Sequence, residues 1–343
     1  MLSFEEFKDY CREHILEALP DGYEDAKVSV NEVLKNNGKA LTALSVLPDG
    51  KNIAPNIYLD GFYMEYERGT ELDTIMDEMA DLCVKHSNPS EDFSNIGEQF
   101  KNVDFVKDRI IMVAVSREKN ADLLKDVPHT NREDLALIYK VYLGNGEDGV
   151  ATITIHNSHL DFWGLTVDEV HELAMKNTRE LLPVTVQSMN EVMRELFSKD
   201  GMDDDMMEAL LQDMPADQQM YVITNQSRLN GAASMFYEDV LSDLAEKVGT
   251  DLYILPSSVH ECIAVSCKLN TPDALAEMVS EINEGQVAAD EQLSDHVYHF
   301  SAETKKLALA DTTVEALGLA VAENNTYDAT QTIAEGNRPH NRR

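Results

Sequence analysis

The stretch from residue 220 to residue 267 constrains the fold most, because strand patterns alternate in it with an amphipathic helix. "MYVIT", "DLYIL" and "HECIAVSC" have strand patterns, and the helix pattern runs from about Leu229 to Val248. Gly249 follows, a residue that commonly stands just beyond a helix C-terminus. A further helix begins at Thr271-Pro272, and "HVYHF" with "KKLALA" forms a closing hairpin. This order predicts an α+β unit with a mainly antiparallel sheet and helices on one face.

The N-terminal part has the same two kinds of element in another order. Ser3 and Glu6 form a capping box at the start of a helix. "AKVSVNEVLKNNGKALTALSVL" alternates on both sides of a turn sequence, which predicts a hairpin. "NIAPNIYLDGFYMEYERG" is interpreted as a further extended piece, and a second amphipathic helix follows Thr70. These patterns predict a small α+β module.

The middle of the chain places strands first and helices after them. "DRIIMVAVS", "LALIYKVYL" and "VATITIH" predict three strands. Thr166 and Glu169 form a second capping box, opening a helix through about Leu182 that Pro183 ends. "VQSMNEVMRELF" predicts a shorter helix after it.

The fold class is therefore α+β, with two to three units that have mainly antiparallel sheets and helices packed on one face. The predicted divisions are an N-terminal module, a central strand-then-helix unit, an acidic connecting arm, a C-terminal unit and a mostly disordered tail: 1–100, 101–200, 201–219, 220–310 and 311–343.

Charge restricts the partners of the chain. Its 343 residues include 63 acidic and 28 basic side chains, a net charge of −35. Such a surface opposes direct binding to nucleic acid or to anionic lipid. The N-terminus has no signal-peptide pattern and no stretch has the apolar length of a membrane span, so we expect a cytoplasmic protein without membrane contact. Acidity itself has two interpretations, ordinary solubility and imitation of nucleic acid at basic sites of other proteins.

"ILPSSVHECIAV", residues 254–265, has the residue types of nucleophilic active sites. Ser257, Ser258, His260 and Cys262 are the candidate catalytic residues, with His260 and Cys262 as neighbours on one face of a strand. A working Cys–His pair also needs an orienting group and an oxyanion pocket, which the sequence does not specify. A hairpin with a polar-capped turn is the interpretation that the sequence favours.

Two other motifs concern metals and cofactors. His156, His159 and Asp161 in "HNSHLD" are suitable zinc ligands by type, but a solvated loop is the interpretation that the sequence favours. "GNGEDG" matches a dinucleotide-binding pattern, but it leads into the strand "VATITI" instead of a helix and so predicts a hairpin. We therefore expect no cofactor and assign no metal site.

Four segments carry a family resemblance: "NNGKALTALSVLPDGKNIAPNIYLDGFY", "HLDFWGLTVDEVHELAMKNTRELLP", "MYVITNQSRLNGAASMFYEDVLSDLAEKVGTDLYILPSSVHE" and "QVAADEQLSDHVYHF". Through them the chain resembles domain-of-unknown-function family 5688, over roughly residues 1–310. The resemblance implies a bacterial protein and supplies no activity, substrate or catalytic residue.

The sequence contains well-formed elements but no complete catalytic or cofactor motif. It therefore favours a binding protein with one or more protein partners over an enzyme. The alternatives are a hydrolase or transferase that uses the Cys/His pair of the 254–265 hairpin, and an acidic nucleic-acid mimic that binds basic protein sites.

Overall fold

The computed structural model describes residues 1–50, 54–87, 96–146, 149–199, 201–203, 206, 211 and 214–310. The chain forms two compact units. The first contains Met1–Asp108 and Lys119–Lys125, and the second contains Arg109–Glu118 and the chain from Asp126 onward. Much of the predicted acidic arm and all of the predicted tail lie outside the described residues. The predicted divisions of the chain stay predictions.

The first unit combines helices with a three-stranded antiparallel sheet in the order β1-β2-β3. Its elements are α1 (Phe4–Ala18), β1 (Lys27–Leu34), β2 (Ala40–Leu47), β3 (Asn56–Tyr58), α2 (Leu59–Glu67), α3 (Leu72–Ser87), α4 (Ile96–Lys101) and α5 (Val103–Lys107).

Helix α1 begins where the capping box predicts it. The Ser3 hydroxyl accepts from the Glu6 backbone N–H, and the Glu6 carboxylate accepts from Ser3 N at 2.8 Å. Every fourth residue after this cap is apolar, so Phe7, Cys11 and Ile15 are fully buried on one side of the helix. They share a core with buried side chains of α3 and the sheet.

The predicted β1–β2 hairpin is confirmed, but the extended interpretation of residues 54–69 is wrong beyond Tyr58. Residues Leu59–Glu67 form α2 although Gly61 lies within it. Glycine in a helix costs about 1 kcal/mol relative to alanine. Packing offsets this penalty, because the Tyr63 and Tyr66 rings lie 5.4 and 5.7 Å from the Phe7 ring. The helical spacing of these aromatic residues outweighs the turn propensity of Gly61.

The second unit contains two antiparallel sheets. In one, β4 pairs along one side of β6, while β5 and β7 pair along its other side. The other has the order β13-β12-β10-β11-β9-β8. The elements of the whole second unit are β4 (Ile110–Ser116), β5 (His129–Arg132), β6 (Leu135–Gly146), β7 (Gly149–Thr154), α6 (Asn157–Trp163), α7 (Val167–Leu181), β8 (Val184–Ser188), α8 (Met189–Lys199), β9 (Tyr221–Asn225), α9 (Glu238–Val248), β10 (Leu252–Leu255), β11 (Cys262–Ser266), α10 (Pro272–Gly285), β12 (Tyr298–Ser301) and β13 (Lys306–Leu309).

The α+β class is confirmed, and so are the three predicted central strands and the closing hairpin. The glycine motif at 144–149 joins β6 to β7, with Gly146 opposite Gly149, as the hairpin interpretation predicts. Residues 147 and 148 of that motif lie outside the described residues. Among the helices of the described residues, none has both the length and the apolarity that a bilayer crossing needs.

The helix predicted from Leu229 to Val248 is shorter in the structure. Gly231–Phe236 forms a 3-10 turn, which we call the buried turn, and α9 follows it. The backbone N–H groups of Gly231 and Ala232 donate to the carbonyls of His260 and Val259 at 2.9 and 3.2 Å. These bonds hold the buried turn against the loop before β11. The extended backbone of Tyr237, with φ −89° and ψ 105°, separates the buried turn from α9. Gly249 ends α9 with φ 76°, as predicted.

The helix predicted from "VQSMNEVMRELF" also begins later. Residues Val184–Ser188 form strand β8, which pairs with β9, and α8 begins at Met189. Ser188 and Glu191 cap this helix: Glu191 N donates to the Ser188 hydroxyl at 3.2 Å, and Ser188 N donates to the Glu191 carboxylate at 2.6 Å. The β-branched residues before this cap suit a strand better than a helix.

A chain of polar groups ties α7 to the sheet that contains β6. The hydroxyls of Thr130 and buried Tyr139 lie 2.6 Å apart, and Tyr139 Oη lies 3.1 Å from His171 Nδ1. His171 Nε2 lies 3.4 Å from an Arg132 nitrogen. Burial, followed by the Arg132 charge, lowers the pKa of His171. The neutral ring therefore fits this position, accepting from Arg132 and donating to Tyr139.

Gly231→Ala tests the close packing of the buried turn. A Cβ at this position would lie 2.3 Å from Thr224 Oγ1, 2.7 Å from Asn225 N and 2.7 Å from the His260 carbonyl oxygen. Because two of these atoms belong to the backbone, we expect a loss of about 3 kcal/mol of unfolding free energy in urea denaturation. Gly285→Ala is the control, since nothing lies within 4 Å of its Cβ position. Equal stability of the two variants would contradict the packing argument.

The lowered pKa of His171 predicts that the stability of the protein depends on pH. Because the pKa is lowered in the folded state, the unfolded chain binds more protons below about pH 6.5. The unfolding free energy should therefore fall as pH decreases through that value toward the folded pKa. We expect His171→Gln to reduce this slope in denaturation curves measured between about pH 7 and pH 5. His14→Gln, on α1, is the control. An equal slope in wild type and His171→Gln would contradict the assignment of this pH dependence to His171.

Candidate functional site

The predicted catalytic residues lie in the connection between β10 and β11. The two strands pair antiparallel, so the hairpin interpretation is correct. Strand β11 begins at Cys262, which leaves His260 in the preceding loop and not on the same strand face. Ser257 and Ser258 lie earlier in that loop, and the Ser258 hydroxyl accepts from His260 N at 3.0 Å. This hydroxyl therefore caps the loop backbone.

Backbone bonds hold the loop on two sides. Val259 N donates to the Glu291 carbonyl at 2.8 Å, and the carbonyls of Ser257 and Pro256 accept from Leu293 and Ser294, each at 2.9 Å. The buried turn binds the other side through the His260 and Val259 carbonyls. The loop that carries the serines is thus part of the internal framework of the second unit.

His260 and Cys262 have separate surroundings. Nδ1 of His260 accepts from Asn230 N at 3.2 Å, and Nε2 lies 3.4 Å from a Glu291 carboxylate oxygen. The Cys262 side chain is fully buried, with its sulfur 3.5 Å from the Ala232 carbonyl oxygen. Burial raises the pKa of the Cys262 thiol. A nucleophilic pair needs a thiolate facing the imidazole, and these contacts do not favour one.

The weak metal candidates lie at the start of α6. His156 Nδ1 lies 2.7 Å from an Asp126 carboxylate oxygen, and His159 Nδ1 accepts from His156 N at 3.1 Å. Burial and the neighbouring His156 lower the pKa of His159. Asp161 is exposed on the same helix. In the described part of the chain, no group of three or more His, Cys, Asp or Glu side chains has an arrangement that could hold a metal ion.

Strand β8 presents unused backbone groups at the end of the six-stranded sheet. Gln226 N donates to the Pro183 carbonyl and Met189 N donates to the Met220 carbonyl, each at 2.8 Å. Because bonded positions alternate in an antiparallel pair, the N–H and C=O groups of Val184 and Val186 point away from β9. Within the described residues, β8 has a strand partner on one side only.

A cleft of about 520 Å³ lies beside these groups, and we call it the β8–α9 cleft. Its apolar lining comes from Val184 and Val186 of β8 and from Val240 and Leu244 of α9. Register explains this placement, since alternate strand side chains share a face. A strand side chain added next to β8 can therefore reach apolar surface.

Charged groups at the rim of the β8–α9 cleft are held in place. Arg179 forms an ion pair with Asp239, and its guanidinium carbon lies 4.6 Å from the Tyr237 ring centre. The Lys247 ammonium lies 4.9 Å from the Tyr221 ring centre. A cation–π contact with an aromatic ring therefore helps to hold each of these cations at the rim.

Sequence reasoning missed this edge because it assigned residues 186–188 of β8 to a helix and left Val184 and Thr185 unassigned. Two local signals could have identified the strand: the β-branched run Val184–Val186 directly after Pro183, and the Ser188–Glu191 capping box that starts α8. No local pattern indicates that β8 ends the sheet, because strand order depends on pairing between distant segments.

The family model for a family of unknown function, DUF5688, matches residues 4–302. The chain belongs to the DUF5688 family. The resemblance seen in the sequence is therefore confirmed over most of the chain. Comparisons with curated proteins and with solved structures found no match.

The surroundings of Cys262 predict a thiol that does not react in the folded protein. Iodoacetamide at neutral pH, followed by peptide mass spectrometry, should modify Cys262 only after denaturant is added, because the reactive thiolate is suppressed by burial. Cys267 is the internal comparison for access of the reagent, because it is partly exposed although burial and the Asp251 charge also raise its pKa to about 12. Rapid modification of Cys262 in the folded protein, without denaturant, would support the hypothesis of a hydrolase or transferase that uses a Cys–His pair.

Proposed function

We propose that this DUF5688 protein is a binding protein that adds an extended segment of a partner protein to β8. The observation that carries the proposal is the pair of outward-facing backbone positions, Val184 and Val186, beside the β8–α9 cleft. In strand addition, main-chain hydrogen bonds supply affinity and pockets for alternate side chains supply specificity.

The edge offers four backbone groups, the N–H and C=O of Val184 and of Val186. Ser188, the next outward position, already donates its N–H to Glu191, so the available edge is short. A typical hydrogen bond contributes about 0.5–1.5 kcal/mol net. Four such bonds alone give weak binding, and the apolar contact with Val240 and Leu244 must add to them.

Charge indicates which partner fits. A net charge of −35 repels a second copy of the chain and attracts basic segments. We therefore infer a protein partner with a basic extended segment. Long-range attraction of this kind raises the association rate and decreases with ionic strength.

Nucleic-acid mimicry has less support from the arrangement of charge on α1. Glu5, Asp9, Glu13 and Glu17 recur every fourth residue and are exposed, with successive carboxylates about 6 Å apart along the helix. Each of them, however, has a basic partner on the same helix: Lys8, Arg12 or His14. Lys8 and Arg12 carry two positive charges against these four carboxylates, so the row is partly neutralised, whereas a phosphate backbone carries continuous charge.

Val186→Pro tests strand addition. Proline removes the outward N–H of Val186 but no N–H that bonds to β9, and edge positions tolerate proline. The probe is a capped peptide of about eight alternating valine and lysine residues, titrated by calorimetry. We expect wild-type binding that weakens with salt, and about a tenfold loss of affinity for Val186→Pro. Val186→Thr, which keeps the N–H, should bind nearly as wild type.

A second arm covers the possibility that Val186→Pro unfolds. The same peptide, N-methylated on the residues that pair with β8, cannot donate the required bonds and should not bind wild-type protein. A valine–glutamate peptide tests the charge argument and should bind more weakly than the lysine peptide. Equal binding of the methylated and unmethylated peptides would rule out strand addition.

A further inference from the structure

A second cleft, of about 340 Å³, lies at the tips of two hairpins of the second unit, and we call it the hairpin-tip pocket. The tips belong to β5–β6 and β12–β13. Its apolar floor comes from Met235, Leu241 and Phe300, which are buried, and from Phe236 and Leu307, which are partly exposed. This volume is in the lower part of the roughly 300–1,000 Å³ range of small-molecule sites.

Partly buried hydrogen bonds hold one tip in place. The Asp134 carboxylate accepts from the Ser294 hydroxyl at 2.6 Å and from the Tyr298 hydroxyl, and the Asp134 carbonyl accepts from Arg117 N at 2.9 Å. Tyr298 is fully buried and also lines the pocket. The β5–β6 tip is thereby fixed to β12, so the pocket wall exists before a ligand arrives.

Left-handed backbone conformations place charged residues at both tips. Glu133 has φ 54° and Lys305 has φ 55°, values that ordinary residues seldom adopt. Both positions lie in hairpin turns, where a positive φ is common. Both residues line the pocket.

The rim contains two cations without a carboxylate partner. Across the described residues, neither Arg132 nor Lys305 forms an ion pair. Arg132 instead contacts the neutral ring of His171 at 3.4 Å. Its remaining donors are available to an anion, and a planar guanidinium suits a carboxylate.

The rim also contains two anions, Glu133 and Glu238, both exposed. A simple anion would be repelled by them, and a simple cation would be repelled by Arg132 and Lys305. A zwitterion can place its carboxylate near the two cations and its ammonium near the two anions, while an apolar body covers the floor. We propose that the hairpin-tip pocket binds a free amino acid with a large apolar side chain. Its carboxylate contacts Arg132 and Lys305, and its ammonium contacts Glu133 and Glu238.

Calorimetry of the full chain with L-phenylalanine tests this proposal. The matched probes are phenethylamine, which lacks the carboxylate, 3-phenylpropionate, which lacks the ammonium, and glycine, which lacks the apolar body. Phenylalanine should bind, and each matched probe should bind about tenfold more weakly or not at all. Absence of phenylalanine binding, or equal binding of a probe that lacks one of the three groups, would overturn the proposal.

Variants locate the binding at this pocket. Arg132→Gln and Lys305→Gln should each weaken phenylalanine binding by about tenfold, since each removes a charge-assisted bond. Lys306→Gln is the control, because Lys306 follows Lys305 in the same hairpin but does not line the pocket. Both test positions are exposed, and thermal denaturation verifies that the variants fold. Unchanged affinity in both Arg132→Gln and Lys305→Gln would place the ligand elsewhere and refute the assignment.

Discussion

The second unit depends on the contact between the buried turn and the backbone around it. Gly231 fits because the atoms opposite it, Thr224 Oγ1 and the His260 carbonyl oxygen, leave no space for a Cβ. The small residues that follow are buried as well. The same Thr224 hydroxyl donates to the His260 carbonyl at 2.7 Å, so a side chain and two backbone segments share one junction. Strand β9, the loop before β11 and the start of α9 are all positioned from it.

This junction gives three of the reactive residue types in the 254–265 segment a structural contact. His260 receives the Asn230 N–H, Ser258 caps a backbone N–H, and Cys262 fills space against Ala232. Asn230 has φ 54°, a strained conformation that the His260 contact helps to hold. Polar side chains at a crowded backbone junction satisfy donors and acceptors that water cannot reach.

Local signals in the sequence identified most elements and failed where long-range pairing decides. The capping boxes at Ser3 and Thr166 set the starts of α1 and α7 correctly, because both partners lie within four residues. The helix predicted from Leu229 is interrupted at Tyr237, whose backbone is extended, and the buried turn before it bonds to residues 259–260, about thirty positions away. Both proposed sites share this limit: β8 gains its role from sheet order, and the hairpin-tip pocket from the meeting of two distant hairpins.

The two sites use charge in opposite ways. At β8 the net charge of the whole chain acts over distances comparable to the Debye length, so it selects a class of partner without fixing a geometry. At the hairpin-tip pocket, single charged side chains act on a ligand over short distances. Lys8, Lys101 and Lys125 each lie within 3 Å of a carboxylate three residues away. Arg132 and Lys305 have no such pair in the described residues, and they flank one apolar floor. An amino acid bound there would place its carboxylate between these two cations, so the position of individual side chains, and not the net charge of the chain, would decide its binding.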